Sequence, residues 1–259
     1  MKKGGGDVLP FLHMLIVSNW KAYVESKEKA KALYLTAQKL AKGSTHDLVL
    51  TVPAPYIGML SSDKCLVALG AQDVSATLGG ATTGEITAGV IADIGASYVL
   101  VGHSERRAMG ETDEVLLEKT RHALAHGLTP ILCVGERERD EDATYLKVIR
   151  TEIANIFGAL TQKERMEIVI AYEPIWAIGK TAAEAITKDD LREMIAYIRK
   201  VLGDYLPGKA GSRIKILYGG SAEAANAQNL ADDTGIDGFL VGHASADVAN
   251  YTALIKALS

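Results

Sequence analysis

The chain has 259 residues, of which 28 are Lys or Arg and 32 are Asp or Glu, for a net charge of −4 at neutral pH. Hydrophobic residues make up 48% of it, enough for a large core, and no apolar run approaches the roughly 20 residues needed to span a bilayer. A slightly acidic net charge argues against nucleic acid or an anionic membrane as the main partner, so any anionic substrate would need positive potential gathered locally.

The two cysteines, Cys65 and Cys133, lie in apolar runs, with no CxxC pair and no Cys/His cluster. They read as reduced, buried thiols in a reducing, cytoplasmic compartment, with no metal site implied. At the N-terminus, Lys2, Lys3 and three glycines precede a short apolar stretch broken by Pro10, which is too short for a signal peptide. Residues 1–13 therefore read as a flexible extension and residues 14–259 as one domain.

From Met14 onward, short apolar β-type runs alternate with segments of helical spacing. Leu15–Ser18 precedes a helix over Ser26–Ala41, where Ala30, Leu33, Ala37 and Leu40 share a face. Asp47–Val52 precedes the short Ala54–Leu60, and Cys65–Ala71 precedes Ile86–Ile94. Tyr98–Val101 is followed by Thr112–Ala125, whose opening Thr and acids suit a helix N-terminus. Thr129–Val134 leads to Thr144–Leu160. Glu167–Tyr172 leads to Thr187–Leu202, with Thr187 as the cap ahead of Asp189 and Asp190. Ile214–Tyr218 and Asp237–Val241 precede Ser221–Leu230 and Ser245–Leu258. Near-continuous apolar strands imply a parallel sheet covered on both faces. Eight strand–helix units predict a single-domain α/β fold, the closed (β/α)8 barrel. A doubly wound open sheet competes on pattern alone, but neither a GxGxxG after the first strand nor a GxxxxGK[ST] loop is present.

In such a barrel the chemistry sits at the C-terminal strand ends. Those ends deliver Asn19 and Lys21, then His103 with Glu105, Arg106 and Arg107, Gly135 and Glu136, Glu173, Gly219 to Ser221, and Gly242 with His243. Glu173 follows five apolar or aromatic residues, and a carboxylate deprived of water is a stronger base. His103 can polarise a carbonyl and relay a proton. Lys21 offers a fixed charge to an anion. Arg106 and Arg107 read as structural ion pairs, with Glu105 orienting the site. Gly219-Gly220-Ser221 and Gly242-His243 each precede a predicted helix, where N–H groups can hold phosphate. Pro174 to Thr181 reads as a lid carrying Trp176 and Gly179.

Asn19-Trp20-Lys21, Val101 to Arg107, Ala171 to Gly179 and Tyr218 to Ser221 together resemble the signatures of the triosephosphate isomerase family, in order and over nearly the whole chain. The resemblance implies interconversion of dihydroxyacetone phosphate and glyceraldehyde 3-phosphate, a step of glycolysis and gluconeogenesis, with no metal or organic cofactor. Glu173 would abstract the carbon-bound proton, and neutral His103 would move protons between the oxygens. Lys21 and Asn19 would stabilise developing charge. The backbones of Gly179, Ser221, Gly242 and His243 would hold the phosphate. Gly79 to Glu85 is similar to a loop that enters a neighbouring subunit, placing Thr83 near the partner's site in a homodimer, with a structural Glu85–Arg106 pair.

Three departures stand out. Lys180 directly follows Gly179 where the family commonly inserts Thr-Gly, so the lid tip is two residues short and its bonds toward Tyr218 and Ser221 are affected. His243 stands in place of a frequent glycine. Asp73 stands where Asn is usual, adding negative charge near the expected subunit contact. Three other activities fit parts of this pattern. They are an isomerase of four-carbon ketose phosphates, a Schiff-base aldolase using Lys21, and a non-catalytic phosphate-binding scaffold.

Overall fold

The computed structural model describes residues 13–62, 64–180 and 185–259. Residues 1–12 of the extension predicted over 1–13, and the end of the predicted lid at Thr181, lie outside them.

Eight strands form the barrel. They are β1 (Leu15–Asn19), β2 (Asp47–Val52), β3 (Ala68–Ala71), β4 (Tyr98–Val101), β5 (Thr129–Val134), β6 (Val169–Tyr172), β7 (Ile216–Tyr218) and β8 (Gly238–Val241). Each pairs in parallel with the next, and β8 closes onto β1 through Leu15–Gly238 to Ser18–Val241. The open-sheet alternative is thereby set aside.

The helices in chain order are α1 (Lys27–Ala41), α2 (Ala54–Leu60), α3 (Ala88–Asp93), α4 (Ser104–Ala108), α5 (Asp113–Ala125), α6 (Thr144–Phe157), α7 (Gln162–Met166), α8 (Lys188–Tyr205), α9 (Ala227–Ala231) and α10 (Val248–Ala257). Their starts follow local capping chemistry. The hydroxyls of Ser26 and Thr187 accept from the N–H groups of Lys29 and Asp190, and each such cap contributes about 1 kcal/mol. α7 opens with a reciprocal Thr161–Glu164 capping box that separates it from α6, so the predicted helix to Leu160 ends early at Phe157.

The strands face two cores. Leu15, Val17, Val49, Leu100, Ile131, Cys133, Val169, Ala171, Leu217 and Leu240 fill the barrel interior. Their neighbours Ile16, Leu50, Val99, Leu132, Ile170, Ile216 and Phe239 pack outward under the helices. Because side chains alternate along a strand, stepping two residues past the last interior position reaches the inner rim of the barrel mouth. From Val17 that step lands on Asn19, from Ala171 on Glu173, from Leu217 on Gly219 and from Leu240 on Gly242. The same alternation that builds the core therefore aims these residues into one opening.

Candidate active site

The mouth holds a cavity of about 430 Å³. Asn19, Lys21, His103, Glu105, Glu173, Gly179, Ser221, Gly242 and His243, all singled out from the sequence, line it. Thr83 does not. It lines a separate groove with Asp73, Arg106, Glu111 and Lys119.

Glu173 and His103 are almost fully buried, and Glu173 Oε1 lies 3.1 Å from His103 Nε2. The other carboxylate oxygen accepts the Ser104 N–H at 2.9 Å. The Glu105 N–H donates to His103 Nδ1 at 3.2 Å. With Nδ1 used as an acceptor, the neutral ring carries its hydrogen on Nε2, facing Glu173 and the cavity. This tautomer is set by the turn entering α4, which His103 caps. Beneath Glu173, Cys133 is fully buried. Burial and the nearby Glu173 charge push its thiol well above the usual range, so the floor of the site stays uncharged.

Lys21 is presented by strain. Its φ is +45°, in the left-handed region that residues with a Cβ disfavour by about 1–2 kcal/mol. Two side chains hold it there. Asn19 Oδ1 accepts the Lys21 N–H at 3.0 Å, and Gln72 Nε2 donates to the Lys21 carbonyl at 2.9 Å. The ammonium reaches Glu105 Oε1 at 2.7 Å. It also passes Gly242 closely, since a Cβ there would sit 3.6 Å from Lys21 Cε.

The two turns expected to hold phosphate differ from their predicted form. No helix opens at Ser221. α9 starts only at Ala227, because the Asn226 side chain bonds the Glu223 N–H and the Ser221 carbonyl and holds the intervening residues as an irregular loop. After β8, Gly242 leads into a single 3-10 turn, His243–Ala246, and α10 begins at Val248 rather than Ser245, capped by Asp247. The His243 ring stands edge-on to Tyr23, with centroids 5.2 Å apart, and both rings line the cavity.

The first part of the predicted lid is a 3-10 turn, Ile175–Ala177, tied at two points. Trp176 Nε1 donates to Glu136 Oε1 at 2.8 Å, the oxygen that also accepts the Tyr172 hydroxyl at 2.8 Å and Arg139 Nε at 3.2 Å. Arg139 also lies over the Trp176 ring, 5.0 Å from its centroid. Burial, and then the Glu136 charge, push the Tyr172 hydroxyl well above its ordinary range, so it stays a donor. On the other side Ser221 Oγ donates to the Ala177 carbonyl at 3.1 Å, so one lid-to-rim tie forms despite the shortened tip. Trp176→Phe keeps an aromatic ring but removes the indole N–H, leaving Glu136 Oε1 with two of its three donors, Tyr172 and Arg139, and the turn without its side-chain tie to Glu136. We expect kcat/KM to fall about tenfold, an effect of 1–2 kcal/mol. Steady-state kinetics check this, and unchanged values would mean that the tie does not steady the lid.

Arg107 forms the expected ion pairs, with Asp113 at 2.7 Å and Glu152 at 3.6 Å. The expected Glu85–Arg106 pair is corrected. Arg106 instead bonds Asp73 at 2.9 Å and Glu111 at 2.6 Å. Asp73 and Glu111 each pair with both Arg106 and the buried Lys119, so Arg106 is held on their side. Sequence reasoning passed over Gln72, although Gly70 points inward and a two-residue step from it reaches Gln72. It also missed the Ser104 N–H, a backbone donor that no residue type announces. Among the described residues no group of three or more His, Cys, Asp and Glu side chains is placed to hold a metal ion.

A model of the triosephosphate isomerase family matches residues 14–258. The triosephosphate isomerase of Rhodopirellula baltica is 38% identical over 250 residues, covering 94% of this chain and 97% of that protein. That of Roseiflexus castenholzii is 39% identical over 258 residues, covering 95% and 97%. The enzyme of Geobacter metallireducens is 38% identical over 250 residues, covering 93% and 97%. With the barrel, the rim residues and the match all spanning the same stretch, the chain belongs to the triosephosphate isomerase family.

Proposed function

We propose that this chain interconverts dihydroxyacetone phosphate and glyceraldehyde 3-phosphate with Glu173 as the base, His103 as the proton relay and Lys21 as the electrostatic anchor. The observation that carries the reading is the Glu173–His103 contact of 3.1 Å, with His103 Nδ1 occupied by a backbone N–H, in the cavity that Lys21 also lines.

In the forward direction Glu173 takes a proton from the carbon beside the carbonyl. The electron pair moves into a carbon–carbon double bond, and charge develops on the carbonyl oxygen. His103 Nε2–H donates to that oxygen and exchanges protons between the two enediolate oxygens. Glu173 then returns its proton to the neighbouring carbon, which completes the isomerisation with no net change in atoms. Lys21 and Asn19 oppose the transient negative charge from the fixed side of the cavity. The backbones of Gly179, Ser221, Gly242 and His243 hold the phosphate end, and the lid excludes water that would intercept the enediolate. Lys21 is the cation of a 2.7 Å ion pair with Glu105, an arrangement that suits an anchor better than an amine nucleophile.

Two further readings go with it. The chain acts as a homodimer, supported by the projecting Gly79–Glu85 loop, the strongly exposed Leu78 beside it and the groove that loop borders. It works in the cytoplasm, in keeping with two free cysteines. The test is a coupled assay with the triose phosphates and, in parallel, erythrulose phosphate. Turnover of the trioses with no borohydride-trapped adduct at Lys21 is expected. Preference for the four-carbon sugar, or a trapped lysine, would overturn the assignment.

A further inference from the structure

Glu152 on α6 is a largely buried carboxylate, its side chain 13% exposed, outside the cavity and used by no step above. Its Oε2 accepts the Gly135 N–H at 2.9 Å, and its Oε1 faces Arg107 Nη1 at 3.6 Å. Both partners lie behind the proton-transfer pair. Gly135 packs so tightly on the Glu173 backbone that a Cβ would overlap the Glu173 carbonyl oxygen. The two segments are also joined by the Glu173 N–H to the Val134 carbonyl at 2.8 Å. Arg107 donates to the Gly102 carbonyl at 3.0 Å, directly before His103, and belongs to α4, whose Ser104 N–H holds the Glu173 carboxylate. We infer that Glu152 is a positioning residue for the proposed reaction, linking through Gly135 and Arg107 the two turns that set Glu173 against His103.

Burial pushes the Glu152 carboxyl up to about 7. Arg107 and the Gly135 N–H oppose the shift, and the negative charges of Asp113 and Glu173 add to it. Near neutrality its grip on Gly135 and Arg107 therefore changes, since an ionised acceptor binds N–H donors about twice as strongly as a neutral one. Because the folded value is raised, the folded state holds this proton more tightly than the unfolded chain does. The contribution to stability is complete below the ordinary carboxylate range and is lost as pH rises through about 7.

The inference rests on the proposed function, and the test separates the two. kcat and KM of the wild type, Glu152→Gln and Glu152→Ala are measured from pH 5 to 9, with thermal melts alongside. The wild type is expected to gain about threefold in kcat as pH passes 7, while Glu152→Gln stays flat at the lower plateau with its melting temperature less sensitive to pH. Glu152→Ala, with no acceptor for Gly135, is expected to lose about tenfold in kcat with KM within twofold, because the phosphate end is untouched. An inactive wild type would sink the proposed function. An active wild type whose pH profile is matched by Glu152→Gln would sink this inference alone. If Glu152→Ala does not fold, the Glu152→Gln profile decides.

Discussion

Glu173→Gln is expected to lower kcat by about a thousandfold or more while leaving affinity for a non-enolisable ligand such as glycerol phosphate within about threefold. The amide has the same shape, and its oxygen can still accept the Ser104 N–H that Glu173 Oε2 accepts at 2.9 Å. What it lacks is a basic lone pair to take a proton from carbon. The side of the cavity proposed to bind the anion, Lys21 with the Gly242 turn, follows β1 and β8, whereas residue 173 follows β6. Stability should change little or fall slightly, because relief of a nearly fully buried charge is offset by an amide nitrogen that meets His103 Nε2–H donor against donor once the oxygen faces Ser104. The coupled assay and a binding titration together check this. Undiminished turnover would remove Glu173 from the mechanism. Binding lost in step with turnover would mean that the carboxylate shapes the cavity rather than performs the chemistry.

The barrel and most of this cavity are legible in the sequence for one reason. Alternation along a parallel strand fixes which residues face inward, and the rim is the next inward step. Glu173 after Ala171 and Gly242 after Leu240 follow from that rule directly. Strand starts were less legible. Cys65 to Val67 extend the apolar run ahead of β3 without joining its ladder; only Val67 is buried, Leu66 is exposed, and Cys65, expected to be buried, is only partly so. The loop after Ser221 departs from the predicted helix because Gly-Gly-Ser before a helical pattern looks like a cap, while the Asn226 side chain, five residues on, delays the helix. Glu152 was invisible for a different reason. On a helix read from the sequence it is one polar residue among several. Only the fold shows that it faces a glycine amide behind β5 instead of solvent. Arg106 illustrates the same limit, because which carboxylate it chooses depends on where Asp73 and Lys119 meet in space.

Lys21→Ala is expected to reduce kcat/KM by about a thousandfold, the loss of roughly 4 kcal/mol of charge-assisted contact with an anionic substrate and its enediolate. Lys21→Gly should lose activity equally, since neither variant carries an ammonium. The two should part company in stability. Residue 21 sits at φ +45°, held by Asn19 and Gln72, and glycine adopts that conformation without the Cβ penalty. Against a left-handed cost of about 1–2 kcal/mol stands the greater freedom glycine gives the unfolded chain, about 0.4–1 kcal/mol. Lys21→Gly should therefore be about 0.5–1 kcal/mol more stable than Lys21→Ala in denaturant melts. Comparing the two variants with each other, and not with the wild type, cancels the lost Lys21–Glu105 ion pair. If alanine were the more stable replacement, the turn would impose no strain and the lysine would owe its position to Glu105 alone. If glycine is the more stable, the fold is storing backbone strain to aim a cation, and the clamp formed by Asn19 and Gln72 is as much a part of the active site as the charge it presents.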